Sequence, residues 1–250
     1  MTRTAFALWL GASAVIPGTL AHVVPAADQQ NDTRRRFKTG DLQLRELATV
    51  SPAPAYPPAS LAKKVTGVVV AAIRFDSKGA TEAVEIVQSP DADTGRAVHD
   101  TLMRWAFRPA MGMGGEGMLF FYFHMKGRDG VVLSPAQMRD VINPGAKPTH
   151  TRPEQEAPPK LITEAEFRKI SALSSTLLLD IRDRETFAEG HEKGAVNIPF
   201  GSGEIIARAP AELPITRHVV IDCRDPLDLC ALAVHQLTSE GFSQVSVLRR

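Results

Sequence analysis

The sequence is poor in cysteine, with only Cys223 and Cys230 in 250 residues. That excludes a disulfide-stapled scaffold, and because no Cys/His cluster has zinc-ligand spacing, no structural metal is expected. An excess of one charge is also missing: 29 basic side chains face 28 acidic ones, a net charge of +1, so no footprint for nucleic acid exists. The basic triplet Arg34-Arg35-Arg36 reads as a solvated face or linker. Met111-Gly112-Met113 offers two thioethers without a third soft ligand, which makes it a loop rather than a copper site. Nothing in the sequence calls for a cofactor.

What is present begins with a targeting pattern. Arg3 forms a short positive region, residues 5–20 are an uncharged apolar run, and Val24-Pro25-Ala26 supplies small residues for cleavage before Ala27. The expectation is a signal peptide over residues 1–26, with the rest of the chain periplasmic or secreted. The alternative is an uncleaved anchor, since residues 5–27 carry no Asp, Glu, Lys or Arg. Only in that case does the protein touch a membrane.

The remainder, in a chain that is 44% hydrophobic, suits two small domains. Residues 27–47 read as a linker. After the Pro-rich entry at residues 51–58, residues 66–76 and 81–88 read as two strands around the turn Ser77-Lys78-Gly79. Residues 91–107 follow with helical spacing of Ala97, Val98, Thr101, Leu102 and Trp105, and residues 117–126 return as an aromatic-rich strand. The predicted unit is an α+β domain of order β-β-α-β. Its Tyr56-Pro57, Gly67-Val68-Val69-Val70, Gln88-Ser89-Pro90 and Trp105-Ala106-Phe107-Arg108-Pro109-Ala110 resemble the TonB C-terminal domain over residues 48–127. The resemblance implies a module that binds an envelope protein by adding a strand to its sheet edge, a mode suited to unpaired backbone N–H and C=O groups.

Residues 143–160 hold five prolines and few apolar side chains, so residues 128–159 are read as a Pro-rich linker. Beyond it, Thr163 with Glu166 forms a capping-box pattern. Strand and helix patterns then alternate at residues 177–181, 184–189, 196–198, 204–209 and 218–222, continuing with a helix after Cys223 and a strand at 245–248. This predicts an α/β domain with a parallel sheet over residues 160–250. Leu178-Leu179-Asp180-Ile181-Arg182, Gly190-His191 and Gly194-Ala195-Val196-Asn197-Ile198-Pro199 resemble the rhodanese-like domain.

The chemistry centres on residues 219–230, which carry both cysteines across a strand-to-helix junction. Backbone N–H groups and the positive end of a helix dipole converge at such a place and favour a thiolate or an anion. The resemblance implies sulfur transfer with Cys223 as nucleophile and persulfide carrier, using a small sulfur donor, with Arg224, Asp225, Pro226, Leu227 and Asp228 as the active loop. It also implies that Asp180, Arg182 and His191 hold loops near the site. The family's active loop reads Cys-x-x-Gly-x-Arg-Ser, whereas here Pro226 takes the glycine position and Asp228 the arginine position. Arg224, Asp225 and Asp228 together leave the loop at net −1, which opposes an anionic donor. Cys230, read as about two helical turns on, is either a buried small hydrophobe or a redox partner of Cys223. Three readings stand: an exported sulfurtransferase-type module, a catalytically degenerate binding module, and a thiol redox device.

Overall fold

The structure is a computed structural model that describes residues 36–109, 112–146, 159–224 and 227–250. The expected signal peptide, Met111, residues 147–158 of the expected linker, Asp225 and Pro226 lie outside the described residues.

Order begins earlier than the sequence suggests: β1 (Phe37–Thr39) and α1 (Asp41–Leu47) occupy the expected first linker, and β2 (Ala48–Val50) follows at the expected start of the first domain. The α+β unit continues through α2 (Pro58–Ala62), β3 (Gly67–Phe75), β4 (Thr81–Gln88), α3 (Ala92–Leu102), β5 (Ala106–Phe107) and β6 (Gly115–Lys126). The hairpin turns where expected. Asp76 Oδ1 accepts from the backbone N of Lys78 and Ala80 at 2.9 and 2.8 Å, and Gly79 takes a φ of +89°, open to glycine at little cost. Asp91 caps α3 by accepting from Thr94 N.

Residues 128–142, read as the start of the second linker, instead form β7 (Asp129–Leu133) and α4 (Pro135–Ile142). The strand pairs antiparallel with the end of β6, and Ser134 closes a capping box with Gln137. The strand is only five residues long, Asp129-Gly130-Val131-Val132-Leu133, and its partner strand rather than its own periodicity holds it.

The main sheet has the order β1-β6-β3-β4, with β7 also on β6. One face packs Val69, Ile73 and Phe121 against Val98 and Leu102 of α3. The opposite face presents Val68, Val70, Phe120 and Tyr122. With both faces covered, β3 and β6 read as continuous apolar runs rather than alternating ones.

The second unit contains β8 (Leu161–Ile162), α5 (Glu164–Ser171), β9 (Thr176–Asp180), α6 (Arg184–Glu189), β10 (Val196–Asn197), α7 (Glu204–Glu212), β11 (His218–Cys223), α8 (Leu227–Ser239) and β12 (Val245–Arg249). Its five-stranded sheet is parallel throughout, in the order β10-β9-β11-β12-β8. Thr163 and Glu166 form the expected capping box on α5. One face packs on Ile205, Cys230, Ala233 and Leu237 of α7 and α8, and the other on Phe167 of α5.

The two units meet directly. Ala207 and Ala211 of α7 lie against Val68, Val70, Phe120 and Tyr122, with Met138 of α4 at the same seam. Asn143, 6% exposed, fastens it: its Nδ2 donates to the carbonyls of Pro210 and Leu213 at 2.8 and 3.1 Å, and its Oδ1 accepts from Ile215 N at 2.9 Å. Two of those groups are carbonyls at the end of α7, where intrahelical donors run out. Arg139 adds an ion pair to Glu240 at 2.7 Å.

Candidate functional site

In the parallel sheet, β9 leads leftward to β10 while β11 leads rightward to β12, so the connections diverge between β9 and β11. Such a divergence opens a crevice at the carboxyl ends of the strands. Cys223 is the last residue of β11, and the adjacent strand ends of β9 and β12 carry Asp180 and Arg249. Asp222 is in register with Asp180 on one side, and Cys223 with Arg249 on the other.

Cys223 is 9% exposed and opens into a cavity of about 590 Å³ that is lined by Cys223, Arg224, Leu227, Val247, Arg249 and Arg250. Asp222, fully buried, anchors two of these arginines. It accepts from Arg250 Nε at 2.8 Å and from Arg224 Nε at 3.3 Å. Arg250 also bonds Glu192 at 2.8 Å, and its bonds to Asp222 hold its pKa above the ordinary guanidinium value. Arg249 is exposed and makes no ion pair among the described residues. The loop charge counted along the sequence is therefore incomplete. Two arginines arrive from β12, because parallel strands in register bring their carboxyl ends together.

Cys230 forms a disulfide with Cys223, their Cα atoms 6.0 Å apart. The two-turn separation expected from sequence does not hold: α8 starts at Leu227, which puts Cys230 in its first turn and within disulfide reach. Cys230 is also a core residue at 0% exposure, so one side chain is both the buried hydrophobe and the disulfide partner of Cys223.

The supporting residues are placed as braces. Buried Asp180 receives Arg182 through Nε at 3.0 Å and Nη2 at 2.6 Å, while Arg182 Nη2 also donates to the Gly190 carbonyl at 2.9 Å. His191 is exposed, its ring stacked on Phe187 at 3.8 Å and its Nδ1 within 2.9 Å of the Phe187 carbonyl. None of the three lines the cavity. Of the active loop, Arg224 and Leu227 do, Asp228 belongs to α8, and Asp225 and Pro226 lie outside the described residues. Sequence reasoning missed Asp222, Val247, Arg249 and Arg250. A signal existed, since Arg249-Arg250 directly follows a strand predicted to lie parallel to the Cys223 strand.

A larger cavity of about 740 Å³ lies between the two units. Tyr122 and Arg208 on its wall both donate to Glu212 Oε1, at 3.0 and 2.6 Å, and its lining holds no cysteine. The smaller cavity is the one that Cys223 lines.

A mixed-sheet α+β domain thus packs against a parallel α/β domain whose central strand ends in a cysteine. Residues 52–119 match the Gram-negative bacterial TonB protein C-terminal family, and residues 163–250 match the rhodanese-like domain family. The chain is a fusion of a TonB C-terminal domain with a rhodanese-like domain. Among solved structures, the Rhodanese_3-like domain of an Anabaena protein is 32% identical, with 30% of this chain and 82% of that one aligned at a TM-score of 0.28. The single-domain sulfurtransferase RDL2 of Saccharomyces cerevisiae is 17% identical, covering 38% of this chain and 86% of that one at a TM-score of 0.33. The Pseudomonas aeruginosa TonB C-terminal domain is 21% identical, covering 33% and 88% at a TM-score of 0.30. Comparison with curated proteins finds no match. The TonB-like domain points to the cell envelope and to protein–protein interaction, and among the described residues no helix is long and apolar enough to cross a membrane.

Proposed function

We propose that the protein is exported and acts in the cell envelope as a sulfurtransferase-type module recruited by its TonB-like domain. Cys223, as thiolate, attacks the outer sulfur of an anionic sulfane donor such as thiosulfate, expels sulfite and carries the sulfur as a persulfide. The observation that carries this reading is the cavity at Cys223 with Arg224, Arg249 and Arg250 around it. Those cations offset the acidic loop and favour both a thiolate and a dianionic donor. Asp180, Arg182 and His191 serve by fixing the loop that flanks the cavity.

For recruitment, the supporting feature is β4, which pairs on one side only among the described residues. The outer side of β6 is covered by β1 at one end and β7 at the other. Between them Asp41 accepts from Phe120 N at 3.0 Å and Arg45 donates to Phe120 O at 2.8 Å. An extended segment of an envelope protein therefore adds at β4.

A thiol redox role is the second reading, and the Cys223–Cys230 disulfide favours it. The test is sulfite release from the reduced full chain given thiosulfate in the absence of other thiols. The expected result is stoichiometric sulfite that disappears in Cys223→Ser. Two thiols that ignore thiosulfate would leave redox or binding as the function.

A further inference from the structure

Cys223 has two different sides. One faces the arginine-lined cavity, from which Cys230 is absent. The other is bonded to Cys230, which is fully buried among Ile221, Ala233 and Leu237. The chain has no other cysteine, so Cys230 has Cys223 as its only thiol partner within the chain.

We infer that this module reduces sulfane sulfur to sulfide, with Cys230 as the thiol that resolves the Cys223 persulfide; the inference rests on the sulfur-transfer reading above. In the first step the Cys223 thiolate attacks thiosulfate, forming Cys223–S–S⁻ and releasing sulfite. In the second, the Cys230 sulfur attacks the inner sulfur of that persulfide. The Cys223–Cys230 bond forms, the bond to the outer sulfur breaks, and the outer sulfur leaves as HS⁻ with the proton that Cys230 gives up. Two thiols are oxidised to one disulfide while one sulfane sulfur gains two electrons. An external dithiol then restores both cysteines and becomes a disulfide itself.

The placement of the two sulfurs suits this order. Displacement at sulfur runs through a mixed species in which attacking and leaving groups oppose each other. A donor enters from the cavity, so the outer sulfur of the persulfide lies on the cavity side. Cys230 meets the inner sulfur from the core side, and HS⁻ departs into a cavity whose cations stabilise a leaving anion. Burial of Cys230 means that an external dithiol reaches the disulfide only at Cys223, and this returns Cys230 as a thiol. A rhodanese-like site without such a partner must await an outside acceptor.

The test is a single turnover of the full chain, reduced, freed of reductant and kept anaerobic, with equimolar thiosulfate. Sulfite, sulfide and the state of the 223–230 peptide are read by mass spectrometry and sulfide assay. Wild type is expected to give about one sulfite and about one sulfide per chain and to end as the disulfide, while a sample without thiosulfate keeps both thiols. Cys230→Ser is expected to stop at the persulfide, with one extra sulfur on Cys223 and sulfide at background. Cys230→Ala serves as the second variant, and the wild-type arm needs neither to fold. Sulfite without sulfide, or a lasting wild-type persulfide beside a free Cys230, overturns the inference alone. Sulfide from Cys230→Ser at the wild-type yield does the same. No sulfite from wild type overturns the sulfur-transfer reading and the inference together.

Discussion

Asn143 offers the sharpest test of how the two domains are held. Replacing it with alanine strips partners from the Pro210 and Leu213 carbonyls and from Ile215 N, all at a residue only 6% exposed. Each buried bond contributes about 1 kcal/mol net, and an orphaned group costs more, so the loss is about 3 kcal/mol. In a chain of this size that corresponds to roughly 6–12 °C in the unfolding midpoint. Aspartate separates hydrogen bonding from shape. Asn143→Asp keeps an acceptor for Ile215 N but sets a carboxylate against two carbonyl oxygens, which raises its folded pKa above the unfolded value. The folded state then binds the extra proton, so the deficit is small below about pH 4 and grows by up to about 1.4 kcal/mol per pH unit above it. Urea titrations of wild type, Asn143→Ala and Asn143→Asp between pH 4 and 7 measure both effects. An alanine variant within about 1 kcal/mol of wild type, or an aspartate variant whose deficit ignores pH, would refute the reasoning.

Other outcomes follow from the same geometry. Arg249→Gln removes the cation of the cavity lining that makes no ion pair among the described residues, so the KM for thiosulfate in sulfite release should rise about three- to tenfold, with the difference shrinking in high salt. For Glu204, burial pushes the pKa up, but bonds from Arg184, Arg208 and Ser202 outweigh it and leave the carboxyl below its ordinary value of 4.5. Its contribution is therefore present above about pH 4.5 and lost as pH falls through the lowered value, and acid titration of Glu204→Gln should lack that portion of the decline. At neutral pH the same substitution leaves Arg184 without its buried counterion and Arg208 with Glu212 alone, and should destabilise the fold by about 3 kcal/mol in urea.

The β3-β4-α3-β6 core of the first unit and the order of strands and helices in the second were legible because each element rests on a pattern a few residues long. The capping box at Thr163 and Glu166, the apolar face of α8 and the turn at Ser77-Lys78-Gly79 are local, and local chemistry forms them. The position of Cys223 at a strand-to-helix junction was equally local. β7 and α4 were not read, since a short strand of mixed polarity depends on β6 for its hydrogen bonds and α4 packs against another domain.

By itself, then, the sequence determined two domains, a parallel α/β sheet in the second, and a nucleophile candidate at the end of one strand. The tertiary structure decided what surrounds that nucleophile. Arg249 and Arg250 lie some 26 residues beyond Cys223, yet β11 and β12 are neighbours in register. Cys230 reaches Cys223 because α8 begins at Leu227 and turns the chain back over the strand end. Asn143 meets α7 across nearly 70 residues. Periodicity and caps encode what a residue does to its near neighbours, whereas charge balance, redox pairing and domain docking depend on which distant segments the packed sheet makes adjacent.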